Sequence, residues 1–502
     1  MILDAIHPGG SAMTRTRKRH HDSLRNNFME DIQSALGFPL DLVCRSLFNE
    51  EEQAAQCMYL ESMVDKKTID DYILKSVTSH TFAEGEAPLS AGNVFLREYS
   101  FSDPDDELRE HAVQALLEGH CVLVDFVRER VCFINVTEPR QRTIDEPKSE
   151  PTIRGPHEGF TENIMTNVGL VRKRIHNPSL RFEKINVGTQ TGTVLLIVYM
   201  ENLAPESLVR EVRGRLQAIR TDSVLESAYV EEFIQDRIWS PFPTLTNTER
   251  PDVVAAQLLD GKVAVMVDGT PSVLLAPATF FEFFSSPEDY YQRADIATFI
   301  RWIRLFSFFT AVFVPSLYVA ATTFHQELIP TQLLISLSAQ REGAPLPALF
   351  EVLLMEVMFE IIREAGLRMP RAVGQALSIV GAIVLGQAAV DAGLISAAIV
   401  IVVSITGITN FVVPTYSFGM SQRLLRFTFL LLAGFMGLFG VLCGALLLTA
   451  HLVSLKSFGV PYMAPASPAI GSNWKDVLFR VPRPWLDPNG LPGYIRRLKR
   501  KR

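Results

Sequence analysis

The hydrophobic residues of this 502-residue chain are concentrated in its second half. Before residue 300 no apolar run is long enough to cross a bilayer, whereas Leu305–Phe324 contains twenty consecutive residues without a charge. A helix of about 20 apolar residues crosses a hydrocarbon core roughly 30 Å thick. Further apolar runs lie at Val373–Val390, Leu394–Pro414 and Phe427–Leu448. The pattern predicts a large soluble region followed by an α-helical polytopic membrane domain with four full spans.

A further apolar segment, residues 349–367, carries charges on one side. On a helix, Glu351 lies off a stripe about 100° wide that contains four other charged side chains: Glu356, Glu360, Arg363 and Glu364. Three glutamates at the centre of a membrane helix cost roughly 8–10 kcal/mol, more than the roughly 3–6 kcal/mol that the apolar residues return. We therefore expect a partial or full span whose charged stripe either lines a pore or packs between helices.

Positive charges give two conflicting predictions for the topology. If residues 349–367 span the membrane, five arginines face the cytoplasm, as the positive-inside rule requires: Arg363, Arg368, Arg371, Arg423 and Arg426. Five spans would then place the end of the chain outside, yet the chain ends RRLKRKR, which should stay inside. We expect a cytoplasmic tail, four full spans and a re-entrant or partial segment at 349–367.

The front half of the chain alternates between helical and strand-like patterns, which predicts an α+β cytoplasmic domain of two mixed α/β lobes. The predicted order is a basic mobile arm, a first lobe, a second lobe, the membrane domain and a basic cytoplasmic tail. Their residues are 1–30, 31–136, 137–296, 297–455 and 456–502.

Local patterns predict individual elements of the two lobes. Residues from Met29 to about Phe101 follow a helical pattern, within which Val43–Phe48 and Ala54–Tyr59 are candidates for short core elements. A second helix from about residue 104 to Leu117 leads into a hairpin, Cys121–Phe126 and Arg130–Val136. The second lobe shows two strands, Leu180–Val187 and Gly192–Met200, with Gly188 in the turn. Pro251 fits the first position of a helix that Gly261 ends, and Asp268-Gly269-Thr270-Pro271 predicts a turn between two strands.

Composition excludes several classes of protein. The formal net charge of −7 gives no sign of a nucleic-acid partner. The opening segment lacks an apolar core and carries Arg15, Arg17, Lys18 and Arg19, so we expect no signal peptide and a cytoplasmic front half. Five cysteines without a CxxC pair indicate reduced thiols. Because no phosphate-binding loop, HExxH, GxSxG or nucleophile–base pair is present, we expect no enzyme activity, cofactor or metal site.

Several phrases of the sequence are distinctive. They are RGPHEGFTENIMTNVGLVRKRI at 154–175, TERPDVVAAQLLDGKVAVMVDGTPSVLLAP at 248–277, DYYQR at 289–293, LPALFEVLLMEVMFEIIREAGLRMP at 346–370 and VGAIVLGQAAVDAGLIS at 380–396. Together they resemble the A-subunit family of bacterial spore germination receptors, the GerA family, which includes a stage V sporulation relative. The similarity runs from about Leu60 to about Leu448.

The resemblance implies a multi-pass protein of the spore inner membrane, with its large N-terminal domain in the spore core. It implies assembly with a transporter-like B subunit, which would bind the nutrient germinant, and with a lipoprotein C subunit. It also implies a homo-oligomeric ring, for which a pentamer is one arrangement, that conducts monovalent cations when nutrient binds. The alternative is a non-conducting scaffold or accessory subunit that assembles or amplifies the germination complex.

The family motifs match specific residues of the soluble region. The first signature includes Arg154, Glu158 and Glu162, and the second includes Glu249, Arg250, Asp252 and Asp268. Where relatives often read PREGF, this chain has Pro156-His157-Glu158-Gly159-Phe160. We predict that these charged residues lie at interfaces between lobes or subunits, with buried structural ion pairs as the alternative.

Overall fold

The computed structural model describes residues 28–49, 52–70, 96–100, 105–125, 130–137, 146–147, 150, 154–368, 386–469, 474, 476–485, 492 and 495. The chain divides into two units. The first takes its residues from Met1–Thr152, Pro156–Ile234 and Asn247–Leu275, and the second from Ile153–Gly155, Gln235–Thr246 and Ala276–Arg502. The division does not follow chain order, because residues 235–246 belong to the helical second unit.

A five-stranded antiparallel sheet forms one part of the first unit, with strand order β1-β2-β4-β5-β3. The predicted helix, α1, packs on this sheet, and β4 and β5 form the predicted hairpin. The elements are β1 (Leu42–Asn49), β2 (Glu52–Leu60), β3 (Leu96–Ser100), α1 (Asp105–Leu117), β4 (His120–Asp125) and β5 (Arg130–Asn135).

The helical pattern predicted from Met29 to Phe101 is wrong for most of the residues described there. Residues 28–36 are helical, but β1, β2 and β3 follow. In β2 the consecutive side chains Cys57, Met58, Tyr59 and Leu60 are all buried. A strand buried on both faces shows no alternation of apolar and polar residues, so its sequence lacks the usual strand signal.

A second five-stranded sheet, in the order β6-β7-β9-β10-β8, forms the other part of the first unit. Helices α2 and α5 pack in one core with side chains of β6, β7, β9 and β10. The elements are α2 (Ile164–Arg172), β6 (Leu180–Val187), β7 (Thr193–Met200), α3 (Glu206–Ala218), α4 (Ser227–Ile234), β8 (Thr246–Thr248), α5 (Pro251–Leu259), β9 (Val263–Val267) and β10 (Val273–Ala276).

The turn residues of this second sheet follow the sequence predictions. Gly188, in the turn between β6 and β7, has φ of 92°, and Gly261, after α5, has φ of 82°. Both values lie in the left-handed region that glycine adopts without a steric penalty. Pro251 occupies the first turn of α5, where its missing N–H costs no helical hydrogen bond. The mixed α/β character predicted for the soluble region is confirmed.

The second unit is mainly helical. Its elements are α6 (Ala294–Thr323), α7 (Thr331–Arg341), α8 (Ala348–Arg368), α9 (Gly386–Asp391), α10 (Ala397–Asn410), α11 (Tyr416–Ser454), β11 (Lys456–Ser457) and β12 (Val460–Pro461). Among the described helices, α6 and α11 are long and apolar enough to cross a membrane. Aromatic rings of the flanking loops, of the middle of α6 and of the start of α11 pack together at a level that we call the base: Phe242, Phe280, Phe284, Phe308 and Phe418.

Helix α11 reverses direction at Gly437. This residue has φ of 60° and ψ of −145°, outside the helical region. A side chain placed on Gly440 would collide with the carbonyl oxygen of Leu432, and one on Gly444 would collide with Phe429. Those pairs lie too far apart in a straight helix to touch. The predicted apolar run Phe427–Leu448 therefore contains a hairpin with arms 416–436 and 438–454.

Both ends of this hairpin lie at the base. Near its start, the ring of Phe418 lies 6.1 Å from that of Phe242, and near its end His451 lies 6.2 Å from the same ring. The hairpin turn lies at the opposite end, which we call the tip, where a Cβ on Gly437 would be 2.9 Å from Phe324. Helix α6 therefore runs from base to tip beside the first arm of α11.

Candidate functional site

A cluster of buried charges joins α8 to the first arm of α11. Arg426 Nη2 lies 3.1 Å from Glu356 Oε2 and donates to Glu360 Oε1 at 2.8 Å. Arg423 Nη1 donates to the other oxygen of Glu360 at 3.1 Å. The side chains of Glu356 and Arg426 are 0% and 1% exposed. Two carboxylates and two guanidinium groups thus neutralise one another where water is largely excluded.

A separate ion pair holds the other end of α8. Glu351 is fully buried, with Oε1 lying 3.5 Å from Nη2 of Arg341 on α7. Its Oε2 accepts a hydrogen bond of 3.1 Å from the backbone N–H of Ser396, just before α10. Sequence reasoning placed Glu351 off the charged stripe, and its partners indeed differ from those of Glu356 and Glu360.

The remaining two stripe residues lie outside the cluster. Glu364 forms an exposed ion pair of 2.8 Å with Arg368, one turn further along α8. The guanidinium carbon of Arg363 lies 5.0 Å from the ring centre of Phe411, after α10. The structure therefore brings Glu356 and Glu360 together with arginines of α11 and leaves Glu364 at the surface.

Polar side chains of α10 and α11 adjoin the cluster. Thr406 donates to Glu356 Oε1 at 3.4 Å. Asn410 lies one turn beyond Thr406, and Gln422 one turn before Arg426, and both are buried. Among the described residues, neither amide has a hydrogen-bond partner for its side-chain nitrogen or oxygen. Sequence reasoning missed Thr406 and Gln422, because single uncharged polar residues in apolar helices give no distinctive signal.

The contacts of α8 also give the directions of the helices. Its early residue Leu349 meets Gly434 near the tip, whereas Glu360 pairs with Arg423 closer to the base. It therefore runs from tip to base, antiparallel to the first arm of α11. Helix α10 runs the same way as α8, because Ser396 pairs with Glu351 at its start and Phe411 lies against Arg363 at its end.

In the soluble region the two family signatures meet through main-chain hydrogen bonds. Phe160 N donates to Glu249 O at 2.8 Å, and Gly269 N donates to Glu162 O at 2.9 Å. The side chain of Asp268 accepts from the backbone N–H of Ile164 at 3.3 Å, at the start of α2. Glu162 and Asp268 thus fix the packing of one lobe through these bonds.

The charged residues of the signatures have different environments. Arg250 and Asp252 form a buried pair with two hydrogen bonds of 3.1 and 2.7 Å. Glu158 forms a pair of 2.9 Å with Arg174 and is exposed, and Arg154 is exposed as well. An interface role for these residues stays a prediction.

Glu150 lies beside the second signature. Thr248 donates to its carboxyl oxygen at 2.8 Å. Burial raises the pKa of Glu150 to about 7, against the lowering effects of this hydrogen bond and of Arg250. Among the described residues, no group of three or more His, Cys, Asp or Glu side chains is arranged to hold a metal ion.

Comparison with known proteins gives a consistent result over most of the chain. The sequence model of the Bacillus/Clostridium GerA spore germination protein family matches residues 30–489. Spore germination protein KA of Bacillus subtilis (strain 168) is 42% identical over 475 residues, which cover 93% of this chain and 85% of that protein. The uncharacterized membrane protein YfkQ of the same organism is 41% identical over 437 residues, covering 87% and 84%.

A solved structure matches half of the chain. It is the crystal structure of the N-terminal domain of the A subunit of the Bacillus megaterium spore germinant receptor GerK3. The two sequences are 33% identical, with a TM-score of 0.37, over 50% of this chain and 94% of that domain.

Proposed function

Because this chain belongs to the GerA family of spore germination receptor A subunits, we propose that it forms a nutrient-gated monovalent cation channel in the spore inner membrane. Several copies assemble as a ring, with the two-sheet unit in the spore core. A transporter-like B subunit binds the nutrient, and a lipoprotein C subunit completes the complex. The observation that supports conduction most strongly is the buried charge cluster on α8.

Helix α8 is an unusual membrane helix. It carries Glu351, Glu356 and Glu360, each of which is paired with an arginine of another helix. Ionisable residues inside a membrane domain are costly and commonly mark the path of an ion. Rows of acidic side chains attract cations and repel anions, which suits a pathway for potassium.

The directions of the described helices support a topology in which this helical segment begins and ends on the same side. Helix α6 runs from base to tip, α8 and α10 run from tip to base, and the two arms of α11 run to the tip and back. Most of the predicted span Val373–Val390 lies outside the described residues. If α8 makes a full passage, its last turns lie on the same side as the end of α11, and the arginines of α8 and the basic tail no longer give conflicting predictions.

The charge cluster also suggests how the channel is closed. With Arg426 and Arg423 bound to Glu356 and Glu360, the acidic side chains are neutralised within one chain. Nutrient binding to the complex shifts the first arm of α11 away from α8, which frees the carboxylates to face the ion path. Opening thus converts intrachain ion pairs into a cation-attracting surface.

The same observation favours a second candidate, a non-conducting scaffold. If the arginines never leave the carboxylates, the cluster only fixes the packing of α8 against α11. Potassium efflux from vesicles distinguishes the two functions. The full chain is reconstituted alone and with its B and C partners, with and without a mixture of amino acids and sugars.

Conduction predicts nutrient-dependent potassium efflux that falls in the E356Q and E360Q variants, because glutamine keeps the side-chain size but loses the charge. Glu364→Gln on the same helix is the matched control, since Glu364 is exposed and paired only locally. Two results contradict the proposal. In the first, vesicles with correctly assembled protein release no potassium when nutrient is added. In the second, all three variants show the same efflux as the wild-type protein.

A further inference from the structure

The first turns of α6 have an inverted distribution of side chains. Phe299, Trp302 and Phe306 are exposed, Phe306 by 76%, whereas Arg301 and Arg304 are buried. A helix at the surface of a water-soluble protein has the opposite arrangement, with its charges outside. An apolar environment must therefore cover this face.

Asp289 makes this inversion possible. Its carboxylate accepts hydrogen bonds of 2.8 Å from both Arg301 Nε and Arg304 Nη1. Asp289 lies in the short helical turn Pro287–Tyr290 just before α6 and is buried. The charges of α6 are thus satisfied inside the unit, and its outer face is left to aromatic residues.

A segment near the end of the chain packs along the same turns of α6. Trp302 Nε1 donates to Leu478 O at 2.9 Å, and Arg480 N donates to Thr298 Oγ1 at 3.0 Å. The ring of Phe479 lies 5.4 Å from that of Trp302. The segment continues to Trp485, which is 75% exposed. It therefore extends the exposed aromatic face of α6.

The loop before β8 presents a second aromatic site at the base. Trp239 is 98% exposed, and its neighbours Arg237 and Ile238 are exposed as well. The next residue, Ser240, has Oγ 2.9 Å from Nε2 of His451, which lies near the end of the second arm of α11. Trp239 is therefore held beside the end of an apolar helix.

We propose that Trp239, Trp302 and Trp485 form an aromatic belt in the lipid–water interface on the base side of the membrane. Tryptophan is enriched at this depth because its ring is apolar and its N–H is polar. The occupant is lipid because the exposed aromatic face continues along α6 into Phe309 and Leu317, which are exposed residues of a helix able to cross a membrane. Through Trp485, the belt binds residues 476–485 to the membrane surface. This inference rests on the proposed insertion of α6 but not on conduction.

The tryptophans themselves provide the test, because the chain contains four. Three-fold Trp→Phe variants of the full chain each retain one tryptophan and are reconstituted in vesicles. Fluorescence quenching is measured with lipids brominated near the headgroup or deep in the acyl chain, and with iodide in the water. Trp474 is the internal control, because it is partly buried with its ring 5.8 Å from that of Phe281.

With the lipid brominated near the headgroup, we expect the fluorescence of Trp239, Trp302 and Trp485 to be quenched more than that of Trp474. We expect the lipid brominated deep in the acyl chain to quench these three tryptophans less than the headgroup-brominated lipid does. Quenching by iodide alone would place the belt in water, and protection from every quencher would place it against another protein subunit. Either result overturns the proposal. If a three-fold variant folds poorly, each tryptophan is instead replaced singly in the wild-type chain. The change in quenching on its removal then gives the contribution of that tryptophan. Flotation with the vesicles checks insertion separately, and efflux checks conduction.

Discussion

Arg426 of the first arm of α11 forms an ion pair of 3.1 Å with Glu356 of α8, and both side chains are almost completely shielded from solvent. Such a pair contributes little net stability, because the cost of removing both charges from water offsets their attraction. Breaking it on one side is costly, since the remaining charge stays buried. These properties suit a contact that holds two helices in one position until another interaction replaces it.

Replacing Arg426 with glutamine tests this holding role. Loss of one partner of a buried pair destabilises the closed state by about 3–5 kcal/mol, because the other charge stays buried. Opening of the cluster relieves this cost. We expect Arg426→Gln to raise potassium efflux in the absence of nutrient. The E356Q/R426Q double variant should show no raised potassium efflux without nutrient, because no unpaired buried charge remains. Arg368→Gln, which breaks the exposed pair with Glu364, is the control and should leave efflux unchanged. Tight vesicles with the assembled single variant would contradict the role of Arg426.

The two sheets of the first unit are joined by a second buried pair. Arg172, at the end of α2, donates to both oxygens of Asp41 at 2.8 Å, and Ser62 donates to the same carboxylate. We expect Arg172→Met to lower the free energy of unfolding by about 3–5 kcal/mol, since it leaves a buried carboxylate unpaired. Thermal unfolding of the full chain in detergent measures the loss. Arg210→Met should have little effect, because its pair with Glu206 is exposed.

Glu150 predicts a pH dependence of stability. Its pKa is raised from 4.5 to about 7 in the folded protein. The folded state therefore holds a proton that the unfolded state releases above its own lower pKa, and stability falls as the pH rises from about 4.5 to 7. We expect the drop in unfolding temperature over this range to be smaller in Glu150→Gln. An equal drop in both proteins would show that Glu150 is ionised when folded. The exposed Glu158→Gln is the control.

Gly437 is predicted to be the residue that permits the α11 hairpin. Its backbone lies in a region that other residues occupy at a cost of about 1–3 kcal/mol, and a Cβ there would lie 2.9 Å from Phe324. We expect Gly437→Ala to lower the unfolding temperature of the helical unit and the yield of assembled protein. Gly419→Ala is the matched control in the same helix, since a Cβ there meets nothing within 4 Å. Equal stability of the two variants would argue against the reversal.

Local signals predicted much of the soluble region correctly. Gly188, Pro251 and Gly261 mark a turn, a helix start and a helix end because each position needs a backbone property that few residues have. Ala54–Tyr59 was predicted only as a short core element and not as part of strand β2, because burial of Cys57–Leu60 on both faces removes the alternation that identifies a strand. The A-subunit family was recognised from phrases distributed along both halves, and the comparisons confirm it.

The apolar second half of the chain was harder to predict in detail. The run Phe427–Leu448 is uniformly apolar, so hydropathy gives no sign that the chain reverses at Gly437. Sequence reasoning identified Glu356 and Glu360 as candidates and assigned Arg423 and Arg426 to the cytoplasmic side by the positive-inside rule, but it did not predict that they pair with α8. The structure buries Arg426 against Glu356 of that helix. Pairing between distant helices depends on tertiary packing, which local sequence patterns do not contain.

The central claim is that the carboxylates of Glu356 and Glu360 select cations in the open channel. The most direct test is the reversal potential of the assembled complex in a planar bilayer under a potassium chloride gradient, with nutrient present. We predict a potential close to that of a potassium-selective pore, shifted toward zero in the E356Q/E360Q variant and unshifted in E364Q. A wild-type current without cation preference, or a selectivity that the E356Q/E360Q variant retains, would contradict it.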